Sequence, residues 1–245
     1  EGHLSLIRES KKRCDISVCS IFVNPTQFNA VSDFENYPKD YFGDIELLIS
    51  AGCDVLFLPT DENEVYQNEK QAHLKLGNIT NVLEGEHRPG HFDGVMRVVK
   101  LLFDIVQPDK AFFGLKDFQQ FLIIQKMTKE LNMEIEVVGC NIVREESGLA
   151  MSSRNKRLSS NELKAALILQ KALNHCKNNF GKMELQDLQA ECFGILQQES
   201  EPEYFEICDT ESLFPITEVS QSNNIRAFTA ASIGEIRLID NVELL

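Results

Sequence analysis

The chain has 245 residues, of which 43% are hydrophobic and 25% charged, and its formal net charge is −14. This composition is typical of a globular protein that buries a core and holds one large domain or two small ones. The acidity argues against a nucleic-acid partner, and the lack of a long apolar run argues against a membrane-spanning segment.

The seven cysteines are scattered, odd in number and form no C-x-x-C pair. This pattern favours small buried hydrophobic residues in a reducing compartment over a disulfide framework or a zinc site. The opening residues lack a basic segment followed by an apolar one, so we expect no signal peptide. We therefore expect a cytoplasmic protein.

In chain order, the sequence first predicts a helix at 3–13, a strand at 15–23, a helix at 42–51 that Gly52 ends, and a strand at 53–58. A short helix at 81–86, a loop at 88–92 and a helix at 95–106 are predicted next. A strand at 110–113, a helix at 117–131 with Asp117 as its N-cap, and a strand at 134–138 follow. The strands at 15–23 and 53–58 are apolar enough to be buried on both faces. Strands that alternate with helices through short turns predict an α/β domain with a parallel sheet.

The pattern changes near Val143. A long helix is predicted at 159–180, because Ser159 and Glu162 form a capping-box sequence and Gly181 can end the helix. A second helix follows at 184–198, and the alternating segments at 204–209 and 225–238 are predicted as antiparallel strands. We therefore expect two domains, a parallel-sheet domain at 1–143 and a smaller α+β domain at 144–245.

One candidate phosphate-binding segment is Gly114-Leu115-Lys116-Asp117, which follows a predicted strand and precedes a helix. Ligands bind at such strand ends in parallel sheets, since the glycine permits close approach, the helix start offers N–H groups and the lysine adds a positive charge. A plain strand-to-helix turn with a surface lysine explains this segment about equally well.

Met151-Ser152-Ser153-Arg154 is a stronger candidate, because two hydroxyls and a guanidinium in succession suit the oxygens of a pyrophosphate. The alternative is a solvated linker between domains.

Other polar residues lie near predicted strand or helix ends. His3 heads the first helix, where a histidine can donate to phosphate, although a lone histidine there is usually only solvated. Gln27 and Gln120 could bind a hydroxy acid without adding charge. Arg88 and His91 lie in a loop that suits a lid, an anion clamp or a dimer contact. Asp44, with Glu46 nearby, could hold a magnesium ion, but a solvated helix face is the simpler interpretation.

Taken together, these residues resemble the pantothenate synthetase family, the pantoate–β-alanine ligases. The shared segments extend over nearly the whole chain, in the order EGHLSLI, SIFVNPTQF, YPKD, LEG, RPGHFDGV, FGLKDFQQ, EIEVVG, GLAMSSRN and RLIDN. The resemblance implies a Rossmann-like fold of the nucleotidyltransferase type with a smaller C-terminal α+β domain. It also implies two reaction steps: ATP and (R)-pantoate form a pantoyl-adenylate with magnesium assisting, and β-alanine then yields pantothenate and AMP.

The resemblance also assigns roles to residues. His3, Lys116 and Arg154 would be catalytic, and Gln27 and Gln120 would bind pantoate or β-alanine. Asp117 would lie on the ribose side and Val143 near the adenine. The full set of residues implied to contact ATP is Gly2, His3, Gly114, Leu115, Lys116, Asp117, Val143, Met151, Ser152, Ser153 and Arg154. The family further implies a homodimer, and we expect the separated turns to meet at one triphosphate cleft between the two domains.

The chain departs from the family at two points. The family's first strand, its Met-Gly turn and the first histidine of its His-x-Gly-His motif would precede Glu1, so we expect the biological protein to be longer. The family often has an aspartate-rich run where this chain has Tyr41-Phe42-Gly43-Asp44, so no protein ligand for magnesium is assigned. Two alternatives remain: a nucleotidyltransferase acting on a phosphorylated cofactor precursor, and a nucleotide-binding or scaffolding protein without catalysis.

Overall fold

The computed structural model of the chain describes residues 1–27, 34, 40–61, 63–66, 74 and 76–245. The chain divides into two units, one formed by Glu1–Leu115 and Gln119–Asn141 and the other by Lys116–Phe118 and Ile142–Leu245. Within the described ranges, no helix has the length and hydropathy that a membrane span requires.

Strands and helices alternate along the first unit. Its strands are β1 (Val18–Ser20), β2 (Val55–Phe57), β3 (Lys110–Gly114) and β4 (Glu136–Cys140). Its helices are α1 (Gly2–Arg13), α2 (Tyr41–Ser50), α3 (Asn63–Tyr66), α4 (Glu84–His87), α5 (His91–Val106) and α6 (Phe118–Glu130), of which α6 begins with the last residue of the Lys116–Phe118 segment. β1 pairs with β2 and β3 pairs with β4, both in parallel. The predicted α/β class with parallel strands is therefore confirmed.

Strands β1 and β2 are less buried than their apolar sequences predicted. α1 and α2 cover one face of this pair, where Leu48 packs with Cys19 and Leu56. Successive side chains of a strand point to opposite faces, so Val18 and its partner Val55 point the other way. They remain 40% and 48% exposed. The prediction that both faces are buried is wrong at Val18 and Val55. On this second face Phe57 packs against Val65 of α3 and Leu101 of α5, but Val18 and Val55 do not belong to that cluster.

Local sequence signals set several helix ends of the first unit. Asp40 caps α2 by accepting a hydrogen bond from the Gly43 N–H, and Gly52 adopts a positive φ of 79° just beyond the end, as its predicted role as C′ residue requires. The predicted loop at 88–92 is too long, because Gly90, with φ 79°, turns the chain directly into α5 at His91. The helix predicted at 95–106 therefore starts a full turn earlier.

The second unit packs helices on an antiparallel sheet. Its helices are α7 (Ser160–Ala165), α8 (Leu167–Asn179) and α9 (Leu185–Leu196), and its strands β5 (Glu201–Asp209), β6 (Ile225–Ile233) and β7 (Ile236–Glu243) lie in the order β5-β6-β7. The predicted capping box is present, with Ser159 and Glu162 each bonding the other's backbone. The single helix predicted at 159–180 is interrupted at Ala166, which separates α7 from α8.

The strand predicted at 225–238 is two strands. Gly234, with φ 56°, and Glu235 form the turn between β6 and β7, and Ile233 pairs with Ile236 across it. The apolar residues on both sides of this turn concealed it in the sequence. The core of the unit lies between the sheet and helices α8 and α9, where Leu173, Leu188 and Phe205 are almost fully buried. Burying each such side chain contributes about 1.5–3 kcal/mol.

The prediction of buried cysteines holds for four of the seven, whereas Cys14, Cys19 and Cys53 are only partly buried. All seven carry free thiols, and Cys140, Cys176, Cys192 and Cys208 are buried. Burial raises the pKa of the Cys208 thiol, which keeps it protonated and unreactive at neutral pH.

Candidate functional site

The segment after β3 is a short turn rather than the direct start of a helix. β3 ends at Gly114, Leu115–Asp117 form a 3₁₀ turn, and α6 begins at Phe118, one residue later than predicted. A Cβ added at Gly114 would meet no described atom within 4 Å, so this strand end faces open space. Open space beside a helix start is what an anion-binding turn requires.

Lys116 belongs to the second unit and lines a small cleft there. Its side chain is 18% exposed, and its ammonium lies 3.9 Å from the Asp117 carboxylate. That distance is too long for a hydrogen bond, so the ammonium keeps donors for a ligand. The cleft is lined by Lys116, Leu149, Ala150, Ser152, Asn155, Leu169, Leu238, Ile239 and Asp240.

The segment that carries the predicted pyrophosphate contacts is a hairpin followed by a 3₁₀ helix. The Met151 N–H donates to the Val143 carbonyl at 2.9 Å, and the Glu145 N–H donates to the Leu149 carbonyl at 2.8 Å. Gly148 turns the hairpin with φ 95°, and a Cβ there would overlap the side-chain amide of Gln170. The hairpin therefore needs glycine at this position.

Ser152 caps the 3₁₀ helix Ser153–Arg157 that follows this hairpin, and its hydroxyl accepts a hydrogen bond from the Arg154 N–H. Met151, Ser152, Ser153 and Arg154 are all partly buried. The alternative of a solvated linker is therefore not supported, since this segment is an ordered turn within the second unit.

Asn155 is a buried residue of this turn that the sequence analysis did not single out. It is 8% exposed, and its Nδ2 donates to the Ala150 carbonyl at 3.0 Å. Its Oδ1 is buried without a hydrogen-bond partner among the described residues. Asn155 thus closes the turn that presents Ser152 to the cleft, and its presence in the GLAMSSRN segment was the only signal for it.

The remaining predicted residues belong to the first unit. Gly2 and His3 are the first two residues of α1, and the His3 side chain is exposed at this helix N-terminus. Gln27 is the last residue of the 3₁₀ turn Pro25–Gln27, and Gln120 is partly buried in the first turn of α6. Their roles stay predictions.

A buried asparagine holds the turn that contains Gln27. The Asn24 Oδ1 accepts hydrogen bonds from the Thr26 N–H at 3.1 Å and from the Tyr66 hydroxyl at 2.6 Å. Its Nδ2 donates to the Gly94 carbonyl at 3.1 Å. Asn24 therefore connects the turn Pro25–Gln27, which follows β1, to helix α5.

Gln119, in α6, is another buried residue that the sequence analysis missed. Its Nε2 donates to the carbonyls of Ile79 and Val82, and its Oε1 accepts from the Glu84 N–H. These bonds hold a tight turn in which Leu83 has a positive φ of 48°. Arg88, predicted for a lid, a clamp or a dimer contact, has its guanidinium 3.6 Å from the buried Glu84 carboxylate.

The structure assembles no metal cage from the residues it describes. Within those ranges, no group of three or more His, Cys, Asp or Glu side chains is arranged to hold an ion. Asp44 lies in the first turn of α2, where the negative charge of a carboxylate interacts favourably with the helix dipole.

Among the predicted residues, the structure therefore brings Lys116 and Ser152 to one cleft, with Ser153 and Arg154 in the turn that begins at Ser152. His3, Gln27, Gly114 and Gln120 lie in the first unit.

Comparisons with known proteins identify the family of this chain. Residues 1–243 match the family model described as pantoate-beta-alanine ligase. Pantothenate synthetase from Cytophaga hutchinsonii is 44% identical over 248 residues, which cover 100% of this chain and 87% of the relative. The crystal structure of pantothenate synthetase from Thermus thermophilus matches with a TM-score of 0.93 at 38% identity, covering 99% of this chain and 88% of that one.

A third match carries ligands. The structure of pantoate-beta-alanine ligase from Francisella tularensis, complexed with beta-gamma ATP and beta-alanine, has a TM-score of 0.81 at 34% identity. The match covers 100% of this chain and 85% of that one. The family model spans nearly every residue, and the relatives match the chain end to end. The chain therefore belongs to the pantoate–β-alanine ligase family.

Proposed function

We propose that this protein is an ATP-dependent ligase that condenses (R)-pantoate with β-alanine to pantothenate and releases AMP and pyrophosphate. The observation that carries this proposal is the match of residues 1–243 to the ligase family, and Lys116 and Ser152 line one small cleft of the second unit. The relative from Francisella tularensis, complexed with beta-gamma ATP and beta-alanine, supports the choice of substrates.

The reaction has two steps. A pantoate carboxylate oxygen attacks the α-phosphorus of ATP, and the bond to pyrophosphate breaks as the acyl-adenylate forms. The β-alanine amine then attacks the acyl carbon, AMP leaves with the bonding electrons, and the amine loses a proton. Neither step needs a covalent bond to the enzyme, so catalysis rests on positioning and charge stabilisation.

In this proposal, cationic and hydroxyl side chains stabilise the negative charge on the phosphates. Lys116 and Arg154 would neutralise the negative charge that builds up on the leaving pyrophosphate, and Ser152 and Ser153 would donate hydrogen bonds to its oxygens. His3, exposed at the N-terminus of α1, would donate to a phosphate with support from the helix dipole. Asp117 and Val143 would contact the ribose and adenine sides of the same nucleotide.

The acid substrates would be bound by uncharged groups. Gln27 and Gln120 offer both donors and acceptors, which suit the hydroxyl and carboxylate groups of pantoate. Two amides favour such a hydroxy acid over a phosphorylated acceptor, which would require cations. This difference favours the ligase over a nucleotidyltransferase acting on a phosphorylated cofactor precursor.

Magnesium enters this proposal as part of the substrate. Mg²⁺ is commonly held by nucleotide phosphates and water rather than by an all-protein cage. We further propose, on the family resemblance alone, that the enzyme is a cytoplasmic homodimer.

The deciding experiment is an AMP-release assay on the full-length protein with ATP, magnesium and pantoate, run with and without β-alanine. We expect AMP to form only when both acids are present, together with an equal amount of pantothenate. Omitting pantoate is the matched control, because β-alanine alone cannot form the adenylate.

Two results would overturn the proposal. AMP release that is indifferent to β-alanine would point to another acceptor and to a different nucleotidyl-transfer reaction. A protein that binds ATP but releases no AMP with both acids would be a nucleotide-binding protein without this catalysis.

A further inference from the structure

Two consecutive residues of β7, Asp240 and Asn241, hold the two segments that line the cleft of the second unit. Asp240 binds the hairpin that leads to Ser152, and Asn241 binds the backbone of Lys116. Both residues are buried, at 4% and 2% exposure. Neither was singled out by the sequence analysis, which noted them only as the end of the RLIDN segment.

Asp240 holds the hairpin through Arg144. The guanidinium of Arg144 makes a two-pronged contact with the carboxylate, at 2.6 Å from Nη1 to Oδ2 and 3.0 Å from Nη2 to Oδ1. The same Nη1 donates to the Gly148 carbonyl at 3.1 Å, at the turn of the hairpin. A bidentate arginine–carboxylate pair fixes orientation as well as distance. Arg144, in the first strand of the hairpin, therefore fastens the hairpin to β7 and also holds its tip.

Asn241 holds the lysine segment directly. Its Nδ2 donates to the Lys116 carbonyl at 2.9 Å, and its Oδ1 accepts from Nη1 of Arg226 at 2.7 Å. The Arg226 guanidinium also lies over the Phe118 ring, 4.5 Å from its centroid. The ring of Phe118 lies 5.7 Å from that of Phe228 on the neighbouring strand. The residues on both sides of Asp117 are thus bound to β6 and β7.

The two contacts use opposite faces of one strand. Side chains of successive strand residues point to opposite faces, so adjacent residues can reach segments on either side of the sheet. β7 pairs with β6 without a break from Arg226–Glu243 to Ile233–Ile236, which makes it a rigid support. Because Asp240 and Asn241 share one peptide bond, neither segment can shift independently of the other while both contacts persist.

We propose that Asp240 and Asn241 are positioning residues for the reaction, which set the spacing between the Lys116 ammonium and the turn that carries Ser152, Ser153 and Arg154. This inference rests on the proposed function, in which these groups grip the triphosphate. Asn241 acts through the Lys116 backbone, and Asp240, although it lines the cleft, has its carboxylate paired with Arg144. Their effect is to hold two phosphate-binding groups at the separation that one pyrophosphate requires.

The test uses Asn241→Asp and Asp240→Asn in the full-length protein. The first keeps an acceptor for Arg226 but loses the donor to the Lys116 carbonyl, and the second weakens the bidentate pair with little change in shape. Arg144→Lys is the fallback if Asp240→Asn does not fold, because it keeps the charge and loses the two-pronged contact. The matched control is Glu203→Gln, which weakens a similar pair with Arg237 on the same sheet, with Nη2 and Oε2 2.8 Å apart.

Four quantities are measured: the dissociation constant of pyrophosphate by calorimetry, the KM for ATP, the KM for β-alanine, and the thermal unfolding midpoint. We expect the pyrophosphate constant and the KM for ATP to rise about tenfold or more in the β7 variants, since small misplacements weaken multidentate sites strongly. The KM for β-alanine should stay within about twofold, and Glu203→Gln should leave all three kinetic and binding values unchanged.

A purely structural role predicts a different result. If the β7 variants unfold at lower temperature but bind pyrophosphate as the wild type does, the positioning inference is wrong. It is also wrong if the wild type does not bind pyrophosphate at all. A wild type that binds pyrophosphate but makes no pantothenate would remove the proposed function, while the pyrophosphate constants of the variants would still decide the role of Asp240 and Asn241.

Discussion

Lys116 and Ser152 line one cleft of the second unit, although one follows a parallel strand and the other follows a hairpin. A lysine ammonium and a serine hydroxyl can each donate to the oxygens of a polyphosphate. This relationship places two of the predicted phosphate-binding groups together without any reference to the family.

Replacing Lys116 with alanine should lower turnover by about two orders of magnitude or more, because the variant loses a group that stabilises developing charge. The thermal unfolding midpoint should change little, since the lysine ammonium lies 3.9 Å from the carboxylate of Asp117, too far for a strong ion pair. Steady-state AMP release and thermal unfolding check both parts.

Lys156→Ala is the matched control for that experiment, because it removes an exposed cation from the 3₁₀ helix that follows Ser152. It should leave turnover near the wild-type value. Equal losses in the two variants would mean that the general positive charge of this region matters, rather than the position of Lys116.

Replacing His3 with alanine should also lower turnover by about two orders of magnitude, if the imidazole donates to phosphate as we propose. The His3 side chain is exposed at the start of α1, so the fold should tolerate the change. Pre-steady-state measurement of pyrophosphate release would locate the defect in the first step. Normal turnover would remove His3 from the mechanism.

Ser159→Ala should lower the free energy of unfolding by about 1 kcal/mol, because it removes half of a capping box. The hydroxyl of Ser159 accepts from the Glu162 N–H at 3.3 Å, and the Ser159 N–H donates to the Glu162 carboxylate at 2.8 Å. Urea unfolding measures the change. Ser160→Ala, one exposed residue further on, should have an effect close to zero.

Asp54 should make unfolding depend on pH in the acid range. Hydrogen bonds from Lys11 and from the backbone and hydroxyl of Ser17 lower the pKa of this carboxyl from 3.8 to about 2. The folded state therefore favours the charged form, so this stabilisation is complete above about pH 4 and is lost as the pH falls towards 2.

The measurement is urea unfolding of the wild type and of Asp54→Asn at several pH values between 5 and 2. The variant should show a flatter decline of the unfolding free energy across this window. Asp15→Asn, which removes an exposed carboxylate two residues before Ser17, should decline as steeply as the wild type. Identical slopes for wild type and Asp54→Asn would refute the assigned role.

Predictions from the sequence succeeded where the deciding residues are close together along the chain. The capping box joins Ser159 to Glu162, and Gly52 ends α2 through its own backbone conformation. These features depend on one or two turns of chain, so the pattern of residue types suffices to predict them.

Predictions failed where neighbours in space decide the outcome. The sequence could not show that Val18 and Val55 remain exposed, since exposure depends on which faces the helices cover. The turn at Gly234 was missed because apolar residues lie on both sides of it, at Ile233 and Ile236.

The sequence by itself determined the family and the α/β class, and it predicted two phosphate-binding segments, since short motifs carry that information. Only the tertiary structure decided that Lys116 shares a cleft with Ser152 and that Asp240 and Asn241 hold both segments. Arg144 and Asp240 lie 96 positions apart, and Lys116 and Asn241 lie 125 apart. Contacts over such separations are set by the path of the folded chain, which no local pattern of residues encodes.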